Sequence, residues 1–222
     1  MFLLIASALA QEPIQRSLPA TMPALHVVNP AGRVLVTVDR SVKESRVMAT
    51  PVHWPEGCRV EFSGDQELAR LEVVRDDGNV RRCRTDVHVV LVGDTSVAID
   101  QGRGRVDAGG MSGSLSVELG RGRVFVDEAV GAVDIQVGLG GVKMAWTESY
   151  GGSAVARVKA GRVRAEVPYG TWLSHDVGGG IAMNPIPEGL ESEDRLVARA
   201  PIVRIDTAQS AISPSTMVVW NE

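Results

Sequence analysis

The sequence predicts an all-β fold: a β-solenoid, or parallel β-helix-like stack, built on nine-residue G-x-V-x-V repeats. Three observations predict it. Gly104, Gly113, Gly122, Gly131 and Gly140 recur in phase. The positions two, four and six residues after each glycine are mostly apolar, as in Leu115, Val117 and Leu119, or Val133, Ile135 and Val137. Aromatic residues are scarce at 4% while glycines number 24, which suits many short strands filled by Val, Leu and Ile and closed by tight turns.

Each element of this reading has a physical reason. Alternation with period two puts one strand face inward and the other outward. Glycine at a sharp corner supplies a positive φ or room for close backbone approach. A fixed short period with equal strands marks a repeat architecture. A β-sandwich of hairpins would alternate too, but would not need identical spacing and should show Asn-Gly or Asp-Gly turns. A three-residue insertion at 149–151 shifts the frame, which resumes at Gly152, Gly161, Gly170 and Gly179.

The remaining segments follow in chain order. Residues 2–10 form an unbroken run of apolar and small residues ending in Ala8-Leu9-Ala10, which predicts a signal peptide over 1–10. The competing reading is a buried first strand. Gln11 follows in place of a lipid-anchor cysteine, and no other apolar run approaches the roughly 20 residues of a membrane helix, so no integral membrane segment is expected. Residues 11–24, with Pro13, Pro19 and Pro23, read as an extended linker. A single domain is then expected over 25–219. Its strand region (25–92) has strands at 25–39, broken by a turn from Asn29 to Gly32, and at 58–62, 69–74 and 86–92. Nonapeptide units fill 93–187, and closing strands occupy 196–219. The chain ends at "VVWNE", with no barrel, anchor or sorting signal expected there.

Net charge is −4 with no long block of like charge, so nucleic acid is not an expected partner. Cys58 and Cys83 either form a disulfide in an oxidising compartment or serve as two small buried hydrophobes.

Function would sit on the outward positions. If two nonapeptides make one coil, alternate units stack on one side. That side carries Arg105, Arg123 and Arg162 in one column, with Gly141 interrupting, and Asp107, Phe125, Lys143 and Arg164 in the next. The ligand-facing candidates are therefore Arg105, Arg123, Phe125, Arg162 and Arg164, which suit phosphate or carboxylate groups. The bland alternative is a solvated face of mixed charge. The other side carries Ser114, Ser116 and Glu118, then Ala132, Asp134 and Gln136, then Val155 and Arg157, then Thr171, Leu173 and His175.

No catalytic, cofactor-binding or metal residues are expected. Ser174, His175 and Asp176 are adjacent on one strand and point alternately to opposite faces, so they form no relay. His26, His53 and His88 lack ligand spacing, and the cysteines are not a C-x-x-C pair. Aspartate does not recur in register, as calcium-binding nonapeptides require. The acidic stretch 189–195 reads as a solvated turn, and Trp146 falls at an inward position.

Four stretches in order, "VVNPAGRVLVTV", "RTDVHVVLVGDTSVAIDQGRGRVDAGGMSGSLSVELGRGRVFVDEAVGAVDIQVG", "AGRVRAEVPYGTWLSHDVGGGIAM" and "APIVRIDTAQSAIS", resemble the bacterial "putative adhesin" domain family, related to auto-transporter adhesin head-like β-solenoids. The resemblance spans roughly 25 to 213 of the sequence. It implies a β-solenoid, a periplasmic or secreted location, and no catalytic residues. Two departures stand out: "TAQSAIS" lacks a corner glycine, and the insertion at 149–151 breaks the run.

The expected function is an exported, non-enzymatic binding or structural module of the bacterial cell envelope, adhesin-like, meeting a cell-surface glycan or an envelope protein. The alternative is a polysaccharide-active enzyme on a β-helix scaffold. That class needs clustered acids along a groove, and the outward columns lack paired acids.

Overall fold

The in-phase glycines lie on top of one another. In the computed structural model, Gly32, Gly104, Gly122, Gly140 and Gly161 are register partners across five long strands. The structure describes residues 12–19, 21–146, 153–168, 172–177, 180–183, 202–207 and 215–221, with the backbone alone from residue 167 onward. The signal segment 1–10 and the acidic stretch 189–195 lie outside the described residues.

The five long strands are β2 (Ala24–Val38), β7 (Ser96–Gly109), β8 (Leu115–Asp127), β9 (Val133–Ala145) and β10 (Ser153–Pro168). All pair in parallel. Val97 pairs with Leu115, and Leu115 with Val133, so each strand advances by two nine-residue units. The three extra residues before β10 are absorbed between strands, and Val133 pairs with Ala154.

Each long strand has two legs joined at its glycine corner, and the parity of burial switches there. In β8, Leu115, Val117 and Leu119 are buried before the corner, and Val124 and Val126 after it. Apolar side chains of both legs belong to one core cluster. Burying each fully is worth about 1.5–3 kcal/mol. Trp146 closes this core at the end of β9, buried, with its indole N–H donating to the Ala129 carbonyl at 2.8 Å. Val124, Val133, Ile135 and Val163 are buried, as the alternation requires.

The corners use glycine in two ways. Gly122 has φ 146°, and a Cβ there would overlap the Gly104 carbonyl oxygen. Gly131 has no positive φ, but a Cβ there would overlap the Gly113 carbonyl oxygen. The nine-residue period therefore alternates a left-handed corner with a site of close backbone approach.

Residues 25–39, expected as two strands around a turn, form one long strand. β2 runs through 29–32 without a break and bends at Gly32 like its neighbours. It is the first long strand of the stack, paired to β7 across the intervening segment that holds β3 to β6. Inside the corner, buried Asn29 pairs in register with Gln101, which pairs with Leu119. Asn29 donates to the Thr85 carbonyl at 2.9 Å and Gln101 to the Gly32 carbonyl at 2.6 Å.

Shorter strands flank the stack. β5 (Leu68–Arg75) pairs in parallel with the first leg of β2, and β6 (Arg84–Leu91) with the second. β4 (Cys58–Gly64) and β3 (Ser45–His53) add antiparallel to β5 and β6. The linker reading of 11–24 is corrected: β1 (Ile14–Leu18) pairs antiparallel with β3 and buries Leu18. At the other end, β13 (Ile202–Thr207) and β14 (Ser215–Asn221) pair in parallel with the two legs of β10. β11 (Trp172–Val177) pairs with β13 and with β12 (Gly180–Met183). The expected placement of 171–177 directly beside 155–157 is thus corrected, because β13 lies between them.

Together the described strands form one open, unclosed 14-stranded sheet. Among the described residues the only helical piece is a 3-10 turn at Val80–Arg82, and no helix is long and apolar enough to cross a membrane. Cys83 follows that turn and is bonded to Cys58 at the start of β4, with Cα atoms 5.9 Å apart.

Candidate functional site

The outward side chains of the two legs differ in charge. On the first legs of β7 to β10 stand Asp100, Glu118 and Asp134, with Arg157 beside them. On the corners and second legs of β2 and β7 to β10 stand Arg33, Arg103, Arg105, Arg121, Arg123, Lys143, Lys159, Arg162 and Arg164, against Asp107, Asp127 and Glu166. A protein of net charge −4 therefore carries one strongly basic face. The cause is register: parallel pairing stacks equivalent positions, so a repeated arginine becomes a column.

Two columns define the site. Arg33, Arg105, Arg123, Gly141 and Arg162 are successive register partners. Beside them run Leu35, Asp107, Phe125, Lys143 and Arg164. The candidates Arg105, Arg123, Phe125, Arg162 and Arg164 thus share one face.

They are not equivalent. Asp107, its side chain 12% exposed, accepts from Arg33 at 2.8 Å and from Arg105 at 2.6 Å. The Arg105 guanidinium also lies 4.3 Å from the Phe125 ring centroid, a cation–π contact that fixes both side chains. Glu166 accepts from Arg164 at 2.8 Å and Lys143 at 3.1 Å. Arg123 and Arg162 have no ion-pair or hydrogen-bond partner among the described residues.

Between those two arginines the column holds Gly141. Its missing side chain opens a shallow groove of about 500 Å³ lined by Arg123, Phe125, Gly141, Lys143, Arg162 and Arg164. Arg123 and Arg162 are two strand spacings apart, about 9.6 Å at their backbones. The groove floor is backbone of Gly140, Gly141 and Gly161. Sequence reasoning placed the arginines, but did not find the notch at Gly141 or the clamp on Asp107. A glycine interrupting an arginine column was the available signal.

The acidic side has its own network. His26 Nε2 lies 2.8 Å from Asp100, and Arg70 donates to His26 Nδ1 at 3.1 Å. Arg157 pairs with Asp134 at 2.8 Å. The backbone of 174–176 lies in β11, and the side chains there lie outside the described residues. Among the described residues no group of three or more His, Cys, Asp or Glu is placed to hold a metal ion.

No protein-family model matches the chain, and no curated protein matches it. Among solved structures, a "putative cell adhesion protein" from Clostridium sporogenes is similar over 95% of this chain and 99% of that one, at 11% identity and a TM-score of 0.52. A "putative adhesin" from Bacteroides fragilis is similar over 95% of this chain and 96% of that one, at 12% identity and a TM-score of 0.36. Of these two, the first shows a shared fold.

Proposed function

We propose that the protein is an exported, non-enzymatic binding module of the bacterial cell envelope, adhesin-like, whose nonapeptide units stack as a β-solenoid. The observation that carries this reading is the basic second-leg face: a register-locked surface on which Arg123 and Arg162 are without partners among the described residues. Among the described residues these two guanidiniums keep their donors unspent, and each planar fork offers two parallel N–H donors to a carboxylate, phosphate or sulfate. The fold shared with the clostridial "putative cell adhesion protein" supports the same reading, as does the apolar run at residues 2–10.

An enzyme on this scaffold is the weaker reading. Glycan cleavage commonly uses two carboxyl groups with separate acid and base roles. Among the described residues, the one carboxylate bound to groove-lining residues, Glu166, is shared by Arg164 and Lys143. Cell fractionation followed by protease treatment of intact cells tests the proposal. Recovery outside the cytoplasm is expected, either protected in the periplasm or digested at the surface. A cytoplasmic protein with residues 1–10 intact would overturn it.

A further inference from the structure

We propose that the notch at Gly141 binds a linear acidic polysaccharide, its anionic groups paired with Arg123 and Arg162. This deepens the binding reading above and rests on it.

Three features identify the ligand. First, the charge is complementary and unspent: Arg105 is committed to Asp107 and Phe125, and Arg164 and Lys143 to Glu166, while Arg123 and Arg162 are free among the described residues. A guanidinium recognises a carboxylate or sulfate through two parallel N–H donors. Second, the two free arginines flank a groove with a backbone floor, so a chain can lie between them with one anionic group toward each. The Phe125 ring on the groove wall offers apolar surface to the C–H face of a sugar.

Third, the unspent charge lies along a groove and not on a plane: Arg123 and Arg162 stand on either side of the Gly141 notch. A single strand of acidic sugar enters that notch and reaches both arginines, whereas a flat anionic membrane surface does not enter it.

Gly141 supplies a test that charge alone would not pass. It is the one residue of the arginine column without a side chain, and its φ is not in the left-handed region. A Cβ there would sit 3.3 Å from the Arg162 carbonyl oxygen, a contact that a small shift relieves. Gly141→Leu would therefore fill the notch, bearing on the Arg162 side chain whose Cγ lies 3.5 Å from the Cβ position, while every charged residue is retained.

The experiment titrates the folded protein with polygalacturonate, with a neutral polysaccharide of similar length, and with phosphatidylglycerol vesicles, at low and raised salt. Binding to polygalacturonate alone is expected, weakening as salt rises. Arg123→Gln and Arg162→Gln should each weaken it about ten-fold, and Gly141→Leu by at least as much. Arg157→Gln, on the acidic side, should leave it unchanged.

Equal binding of the neutral polymer, or of the vesicles in place of polygalacturonate, would overturn the proposal. So would full binding by a folded Gly141→Leu variant, since that would mean charge without a shaped site. No binding to polygalacturonate by an extracytoplasmic protein sinks the ligand and leaves the envelope reading standing. A cytoplasmic location sinks the envelope reading itself.

Discussion

Gly122 lies directly beside Gly104 in register, and the Gly104 carbonyl oxygen occupies the space a Cβ on Gly122 would need. With φ at 146° as well, this corner excludes a side chain on two independent grounds. Gly122→Ala should cost at least about 2 kcal/mol, read as a lower denaturation midpoint in urea. Gly141→Ala, where the φ is ordinary and the contact mild, should cost under about 1 kcal/mol. Equal costs at the two sites would contradict the corner geometry.

The inward and outward positions make a second contrast. Val133 is 2% exposed inside the core. Val133→Asp would place an unpaired charge there, and we expect loss of the cooperative unfolding transition or of soluble protein. The neighbouring Asp134 makes an exposed pair with Arg157, and pairs of that kind contribute about 0–1 kcal/mol. Asp134→Asn should accordingly leave the midpoint nearly unchanged.

The Cys58–Cys83 bond closes a loop of sequence separation 25. Loop closure of that length stabilises by about 3.5 kcal/mol through the unfolded chain. It also ties β4 to the turn that leads into β6. Reduction, or a double Cys→Ser change, should lower the denaturation midpoint by a corresponding amount, with no effect of reductant on the double variant. A midpoint insensitive to reductant in the native protein would rule the bond out.

His88 sits on β6 beside Thr37, whose hydroxyl lies 3.2 Å from its Nε2. Burial, with Arg46 and Arg33 adding repulsion, lowers its pKa below the ordinary 6.5. The folded protein therefore binds fewer protons at this site than the unfolded chain as pH falls through 6.5 and below. Stability from this site is full above that pH and declines below it. Thermal melts between pH 7.5 and 5 should show a fall that His88→Gln reduces, and an identical pH dependence in the variant would exclude the effect.

Local periodicity made part of this molecule legible. The alternation after Gly113, Gly122 and Gly131 specified which side chains enter the core, because a period-two strand has one choice of buried face once its glycine corner is set. The same spacing put Arg123 and Arg162 in one column. The cysteine pairing stayed open in the sequence, since spacing alone does not distinguish a bond from two buried thiols.

Other features required the chain to come back on itself. Nothing local in "NPAG" marks 29–32 as a corner of the same stack as Gly104. That role comes from the parallel pairing of β2 with β7 across the segment that holds β3 to β6. Nor does local sequence place β13 between β10 and β11, because strand order is decided by long-range pairing and not by adjacency in the chain. The sequence by itself determined the period, the buried face and the arginine spacing, all of which are short-range consequences of backbone geometry. Tertiary structure alone decided which arginines Asp107 and Glu166 neutralise, and so which two remain free across Gly141 among the described residues. The reason is physical: ion pairing depends on distances across strands, and only the folded register sets those.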